Sequence, residues 1–275
     1  MERWENSLNT ATNQTHNPAA TGMITVENYC KTYKDVQAVT DLSFTVEPGQ
    51  VLGLVGPNGA GKTTTIRAIT GIIPATSGSL RIAGHDVIEE PKLAKSQLAY
   101  IPDDPKLFDL LTVSEHLRFT AEVYDVPKPQ RDEIFEALLR QFNLREKRDS
   151  AAGELSRGMR QKVAICCAYL HDPKAIMFDE PLTGLDPYAI RDLKDSIRQR
   201  AEGGAAVMIS SHLLSMVEDL CTHILILDKG TRRFFGSLDE LRNKYASAET
   251  LEEVFFQATG TTESESAAAN QTETE

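Results

Sequence analysis

The sequence predicts an α/β fold built on a mostly parallel sheet and interrupted by an α-helical insert. Three observations predict it. Short apolar runs, "VLGLVG", "LAYIP", "AIMFDE", "AVMISS" and "HILILD", suit strands covered on both faces. Between about 105 and 165 the apolar residues recur at helical spacing instead. The loop "GPNGAGKTT", residues 56 to 64, follows the first of the apolar runs and precedes the helix-like "TTIRAIT", giving strand, glycine-rich loop and helix in that order.

The elements follow along the chain. Residues 1–22 are polar and begin with acids, so no secretory leader is expected in them and they are expected to be disordered. In "VTDLSFTV", Leu42, Phe44 and Val46 alternate with Ser43 and Thr45, the period-two mark of a half-buried strand. "LTVSEHLRFTAEVY" opens with Thr112 three places before Glu115, a capping box, and sets Leu117, Ala121 and Tyr124 along one side of a helix. "RDEIFEALLRQFNL" repeats the pattern with Ile134, Leu138 and Phe142. Ser237 with Glu240 and Thr250 with Glu253 mark two short helices by the same signal, forming an extension over 239–260. The acidic residues 261–275 are expected to be disordered.

Composition narrows the function. With 275 residues, 41% of them hydrophobic, the chain has ample material for a packed core. Lys and Arg number 29 against 40 Asp and Glu, so the net charge of -11 disfavours broad binding to nucleic acid or anionic lipid. Cys30, Cys166, Cys167 and Cys221 lack paired zinc spacing and read as reduced core thiols suited to the cytosol. The apolar runs stop well short of the roughly 20 residues that a membrane-spanning helix needs. Any pore must therefore come from another polypeptide.

The loop matches G-x-x-x-x-G-K-[ST], a pattern that arises by chance in roughly one chain of this length in a hundred. Gly56, Gly59 and Gly61 let the backbone bend so that successive N–H groups face a phosphate, and the positive end of the following helix adds to the attraction. Lys62 reaches the β- and γ-phosphates and the Thr63 hydroxyl ligates Mg²⁺. "AIMFDEP" ends an apolar strand in two acids: Asp179 for the metal, and Glu180 to polarise or deprotonate the attacking water.

Further motifs accompany these. "LSRGMRQKV" (155–163) resembles the signature of the ATP-binding cassette (ABC) family, "LTGLDP" (182–187) its D-loop and "ISSH" (209–212) its switch-histidine loop. "YCKTYKDVQAV" resembles the adenine-stacking segment, with Tyr33 at the aromatic position. The motifs lie in family order over about 23 to 258, and the ending "ETLEEVFFQATG" resembles cassettes that serve efflux-type (ABC-2-like) permeases. The resemblance implies a P-loop NTPase core with a mostly parallel sheet, an antiparallel β subdomain and the α-helical subdomain insert, together forming a nucleotide-binding domain over 23–238. It implies ATP and Mg²⁺ held by Gly56, Pro57, Asn58, Gly59, Ala60, Gly61, Lys62, Thr63 and Thr64, with Tyr33 on the adenine. Lys62, Glu180 and His212 are then catalytic, His212 orienting Glu180 or the water. It further implies a head-to-tail dimer, either homodimer or heterodimer, in which Ser156 and Gly158 of one subunit meet the γ-phosphate held by the other and Asp186 arranges the contact. An integral-membrane permease is the expected partner, at the cytoplasmic face of the membrane, and no nucleic acid is expected.

Two positions depart from the family pattern. Asp103, in "YIPDDPKLF", stands where the family usually has Gln. It keeps an acceptor for Mg²⁺ or a metal-bound water but loses the amide donor. Asp104 reads as the turn residue. Arg157 occupies a signature position often held by Gly, and its side chain is expected to point away from the site. The main rival is a soluble ABC ATPase acting on DNA or the ribosome. Against it stand the lack of sustained heptads between Lys62 and Ser156, the single phosphate loop and the acidic balance. A non-catalytic ATP-binding module is disfavoured by Glu180 and His212 together.

Overall fold

The computed structural model describes residues 22–260, except 183, 247 and 249. The two tails expected to be disordered lie outside the described residues, Gly22 apart.

Strands β1 (Ile24–Tyr33) and β2 (Val36–Val46) join β4 (Ser77–Ile82) and β5 (His85–Asp86) in an antiparallel sheet of order β2-β1-β4-β5. The period-two reading of β2 is borne out: Leu42, Phe44 and Val46 are buried while Ser43 and Thr45 are not. Strand β1 shows no clean alternation in its sequence. Its register slips after Val26, near Asn28, whose φ of 48° marks an irregularity that breaks the period.

The second sheet has the order β10-β9-β3-β8-β7-β6. Here β3 (Val51–Val55), β6 (Leu98–Ile101), β7 (Ala175–Asp179), β8 (Ala206–Ser210) and β9 (His223–Asp228) run parallel, while β10 (Thr231–Ser237) is antiparallel at the edge. All five parallel strands are the apolar runs picked out in the sequence. Alternate residues supply two cores. Val51, Val55, Ile176, Phe178, Val207 and Ile209 face one layer, and Leu52, Leu54, Met177 and Met208 face the other. A strand buried on both faces therefore reads as a continuous apolar run.

Helices α1 (Lys62–Ile69) and α2 (Pro91–Ser96) precede the insert. The insert contains α3 (Val113–Val123), α4 (Lys128–Gln141) and α5 (Arg157–Tyr169). Thr112 and Glu115 form the capping box at the start of α3, and Leu117 and Ala121 are buried as expected. Tyr124, the C-terminal cap of α3, is more exposed and stacks on His171 at 3.8 Å between ring centroids. Helices α6 (Pro187–Glu202) and α7 (Leu214–Leu220) complete the core, and α8 (Leu238–Lys244) and α9 (Leu251–Thr259) form the C-terminal extension. Ser237 and Thr250 cap α8 and α9, the two starts read from the sequence.

All four cysteines are free thiols, Cys166 and Cys221 buried and Cys30 and Cys167 partly so. Among the described residues, no helix is long and apolar enough to cross a membrane.

Candidate functional site

Parallel strands present all their C-terminal ends on one side, which is where ligand sites form in such sheets. Four of these ends meet here. From β3 comes the loop of residues 56–61 leading into α1; from β6, Pro102 and Asp103; from β7, Asp179 and then Glu180; and from β8, Ser210 to His212. Together with Ala38 they enclose a pocket of about 460 Å³, lined by residues 58–64, Asp103, Asp179, Glu180, Ser210 and His212.

The loop keeps its shape because two of its glycines are sterically required. A Cβ on Gly56 would lie 2.3 Å from the backbone oxygen of Leu227, and Gly61, at φ 101°, would bring one to 2.9 Å from Ala38 O. Lys62 is the first residue of α1, and its ammonium donates to the carbonyls of Gly56 (2.6 Å) and Pro57 (3.2 Å). Burial lowers the pKa of Lys62, while Glu180 and Asp179 oppose that shift. Burial also raises the pKa of both acids. For Asp179 it outweighs the Ser210 hydroxyl, Arg67 and Lys62, and for Glu180 it outweighs His212.

Glu180 follows β7 directly and holds φ 48°, a left-handed conformation that is costly for a residue with a Cβ. Its N–H donates to Ser210 O (3.0 Å). Its Oε2 lies 2.8 Å from His212 Nδ1 and accepts from His212 N–H at 3.4 Å. The backbone strain thus aims a partly desolvated carboxylate into the pocket and lets the imidazole orient it. A carboxylate so held can take a proton from water near a phosphate bound on the loop.

The donor set fits a magnesium ion carried in with phosphates. The Thr63 hydroxyl and the Asp179 carboxylate are hard oxygen ligands. Among the described residues no group of three or more His, Cys, Asp or Glu could hold a metal ion; two such oxygen ligands suit an ion whose shell substrate phosphates and water complete. Ser210 adds a buried hydroxyl at the pocket wall, beside Asp179. Sequence reasoning passed over Ser210 and Ala38. Only the position of Ser210, opposite Asp179 in the β7–β8 register, could have signalled it.

The remaining predicted residues are placed outside this pocket. Tyr33, at the end of β1, is 44% exposed with the Lys31 ammonium 4.8 Å from its ring centroid. Ser156 caps α5 by accepting from Met159 N–H (3.3 Å), and a Cβ on Gly158 would lie 3.2 Å from Gly184 O. Asp186 caps α6 by accepting from Ala189 N–H (2.9 Å), a contact that lowers its pKa. Asp104 pairs with Lys106 and so behaves as the turn residue. Arg157 does not point away: its Nη2 donates to Asp103 Oδ1 at 3.1 Å, because the N-terminus of α5 packs beside the loop that leaves β6.

Comparison with known proteins accords with this geometry. The ABC transporter family profile matches residues 39–183. The ABC-type transporter ATP-binding protein EcsA of Bacillus subtilis is 37% identical over 86% of this chain and 96% of its own length. The lipopolysaccharide export system ATP-binding protein LptB of Haemophilus influenzae is 34% identical over 80% of this chain and 93% of its own length. A solved ATP-binding subunit of an ABC transporter superposes with a TM-score of 0.82 at 34% identity, covering 86% of this chain and 99% of that one. The glycine loop, the acids at the end of β7 and these likenesses together establish that the chain belongs to the ABC transporter family, as an ATP-binding subunit with ATPase activity.

Proposed function

We propose that two copies of this subunit, or this subunit and a similar one, close around ATP and drive a separate membrane permease, in the direction of export. The observation that carries the catalytic part is the convergence of Lys62, Asp179, Glu180 and His212 at one end of the parallel sheet, with Glu180 and His212 in contact at 2.8 Å.

In this mechanism the loop N–H groups and the N-terminus of α1 hold the phosphates of ATP, and Lys62 exchanges its loop carbonyls for phosphate oxygens. Tyr33 stacks on the adenine. Thr63 and Asp179 would hold Mg²⁺, with Asp103 contacting it directly or through water; when bound, the ion supplies neutralisation of phosphate charge. Glu180 accepts the proton of the attacking water while His212 keeps its carboxylate aimed. Ser156 and Gly158, which are not among the residues lining their own pocket, serve the nucleotide of the opposite subunit. Hydrolysis removes the γ-phosphate contacts that favour the closed pair, so the population shifts toward the open one.

Two features support work on a separate permease at the membrane: no described helix can span a bilayer, and relatives of nearly equal length are named as ATP-binding components of transporters. LptB, named for an export system, supports the direction. The test is purification of the tagged chain from detergent-solubilised membranes of its own organism. An integral-membrane protein recovered in constant ratio is expected. Consistent recovery with ribosomes or DNA, and without such a protein, would overturn the transport assignment.

A further inference from the structure

The contact between Asp103 and Arg157 joins two parts of the site that face different nucleotides. Asp103 lines the pocket of its own subunit. Arg157 is the first residue of α5, directly after Ser156, on the surface assigned above to the nucleotide of the opposite subunit. The ion pair is 3.1 Å long, and both side chains are about half exposed.

Other contacts hold the two elements in register. Buried Gln161, one turn further along α5, donates to Pro102 O at 3.4 Å, next to Asp103. Arg160 donates to Asp109 at 2.8 Å and to Ala152 O at 3.2 Å, pinning the far end of the same loop. The stem of Arg157 crosses the turn after β7: a Cβ on Gly184 would lie 3.0 Å from Arg157 Cδ and 3.2 Å from its Nε. Arg157 thus touches the loop after β6 and the turn after β7 at once, and its guanidinium ends on the one carboxylate of that loop that lines the pocket.

We propose that Arg157 is a positioning residue that holds Asp103 back from its own nucleotide site, so that a magnesium-bound nucleotide must compete with Arg157 for the Asp103 carboxylate. The proposal rests on the assignment of Asp103 to the metal side of the pocket. Filling the pocket draws Asp103 away and frees Arg157 and the first turn of α5. Occupancy in one subunit is thereby coupled to the surface it offers the other. In this arrangement the Arg at a position the family often gives to Gly is the partner of an Asp at a position the family usually gives to Gln. An exposed pair shifts such a competition by no more than about fivefold.

The sign of the effect tests the proposal. Loss of a cation beside a polyanionic ligand weakens binding if Arg157 acts only through its charge. Release of Asp103 strengthens it. The measurement is the affinity of the whole chain for a non-hydrolysable ATP analogue with Mg²⁺, under dilute conditions where light scattering shows a monomer. Arg157→Gln is expected to bind up to about fivefold more tightly, and the gain should vanish when Mg²⁺ is replaced by EDTA. With Asp103→Asn in place, Arg157→Gln should bring no gain. Arg157→Lys, which keeps a charge, should lie between Arg157→Gln and the parent. Circular dichroism and thermal melting establish that each variant is folded. Unchanged or weaker binding by Arg157→Gln overturns the proposal, and so does a gain that survives Asp103→Asn. Failure of the parent chain to bind the analogue at all would overturn the nucleotide site itself, which separates the two failures.

Discussion

Replacing Glu180 by Gln should lower turnover and raise stability together. A positioned general base contributes about 10² to 10⁴ in rate, or roughly 3 to 5 kcal/mol of barrier. Gln keeps the Cβ, the φ of 48° and an oxygen within reach of His212, so the loss isolates the proton acceptor. Phosphate release at saturating ATP should fall by at least about a hundredfold, while analogue binding persists. The stability effect follows from the direction of the pKa shift. Burial raises the Glu180 carboxyl above its ordinary value of 4.5 in the folded protein, so between that value and the raised one the folded state holds a proton that the unfolded chain has released. Stability therefore falls as pH climbs through this window, and the cost is fully present above it. Gln carries no such cost. The variant should match its parent below about pH 4.5 and melt higher at neutral pH. Glu180→Gly provides a second reading of the same residue. Below about pH 4.5, where the burial cost is absent, it relieves a left-handed backbone that costs about 1 to 2 kcal/mol but adds about 0.5 to 1 kcal/mol of unfolded-state entropy, so its net gain there is about 0 to 1.5 kcal/mol. For a domain of this size that is up to about 6 °C. Turnover by Glu180→Gln within about threefold of the parent would refute the assignment of the base. A neutral-pH melting temperature below the parent's would refute the burial argument.

Two further outcomes can be checked with the same binding and melting assays. Gly56→Ala forces a Cβ to 2.3 Å from Leu227 O, a backbone atom with no rotamer to give, so a loss of about 1 to 3 kcal/mol in stability and a marked loss of nucleotide affinity are expected; a melt and an affinity like the parent's would show that the loop is not held as described. Tyr33→Ala should weaken nucleotide binding by about 1 to 3 kcal/mol, or roughly 5- to 150-fold, with little effect on stability because the ring is 44% exposed, whereas Tyr33→Phe should bind normally. Unaltered affinity in Tyr33→Ala would exclude stacking at this position.

Features governed by neighbours in the chain were legible in the sequence. The five parallel strands declared themselves because burial on both faces leaves no polar alternation. The helix starts at Thr112, Ser237 and Thr250 were visible because a cap needs only the three residues that follow it. The phosphate loop was visible through the fixed spacing of its Gly, Lys and Thr residues, although the backbones that exclude a Cβ at Gly56 and Gly61, those of Leu227 and Ala38, lie far away in the chain. Strand β1 was hidden for the converse reason: its register slips near Asn28 and breaks the period on which a local reading depends.

What remained required the sheet to be assembled. Strand order decides which loop ends become neighbours, and in a parallel sheet it is set by long crossovers rather than by any local pattern. Only that order brings Glu180 against His212, 32 residues on, and puts the Oγ of Ser210 into the pocket wall. The packing of α5 against the loop from β6 turned Arg157 onto Asp103, 54 residues away, where sequence reasoning had it pointing elsewhere. The types of chemistry were fixed by residues and their spacing. The pairing of charges was decided by tertiary contact, because an electrostatic partner is chosen by distance in space and not along the chain.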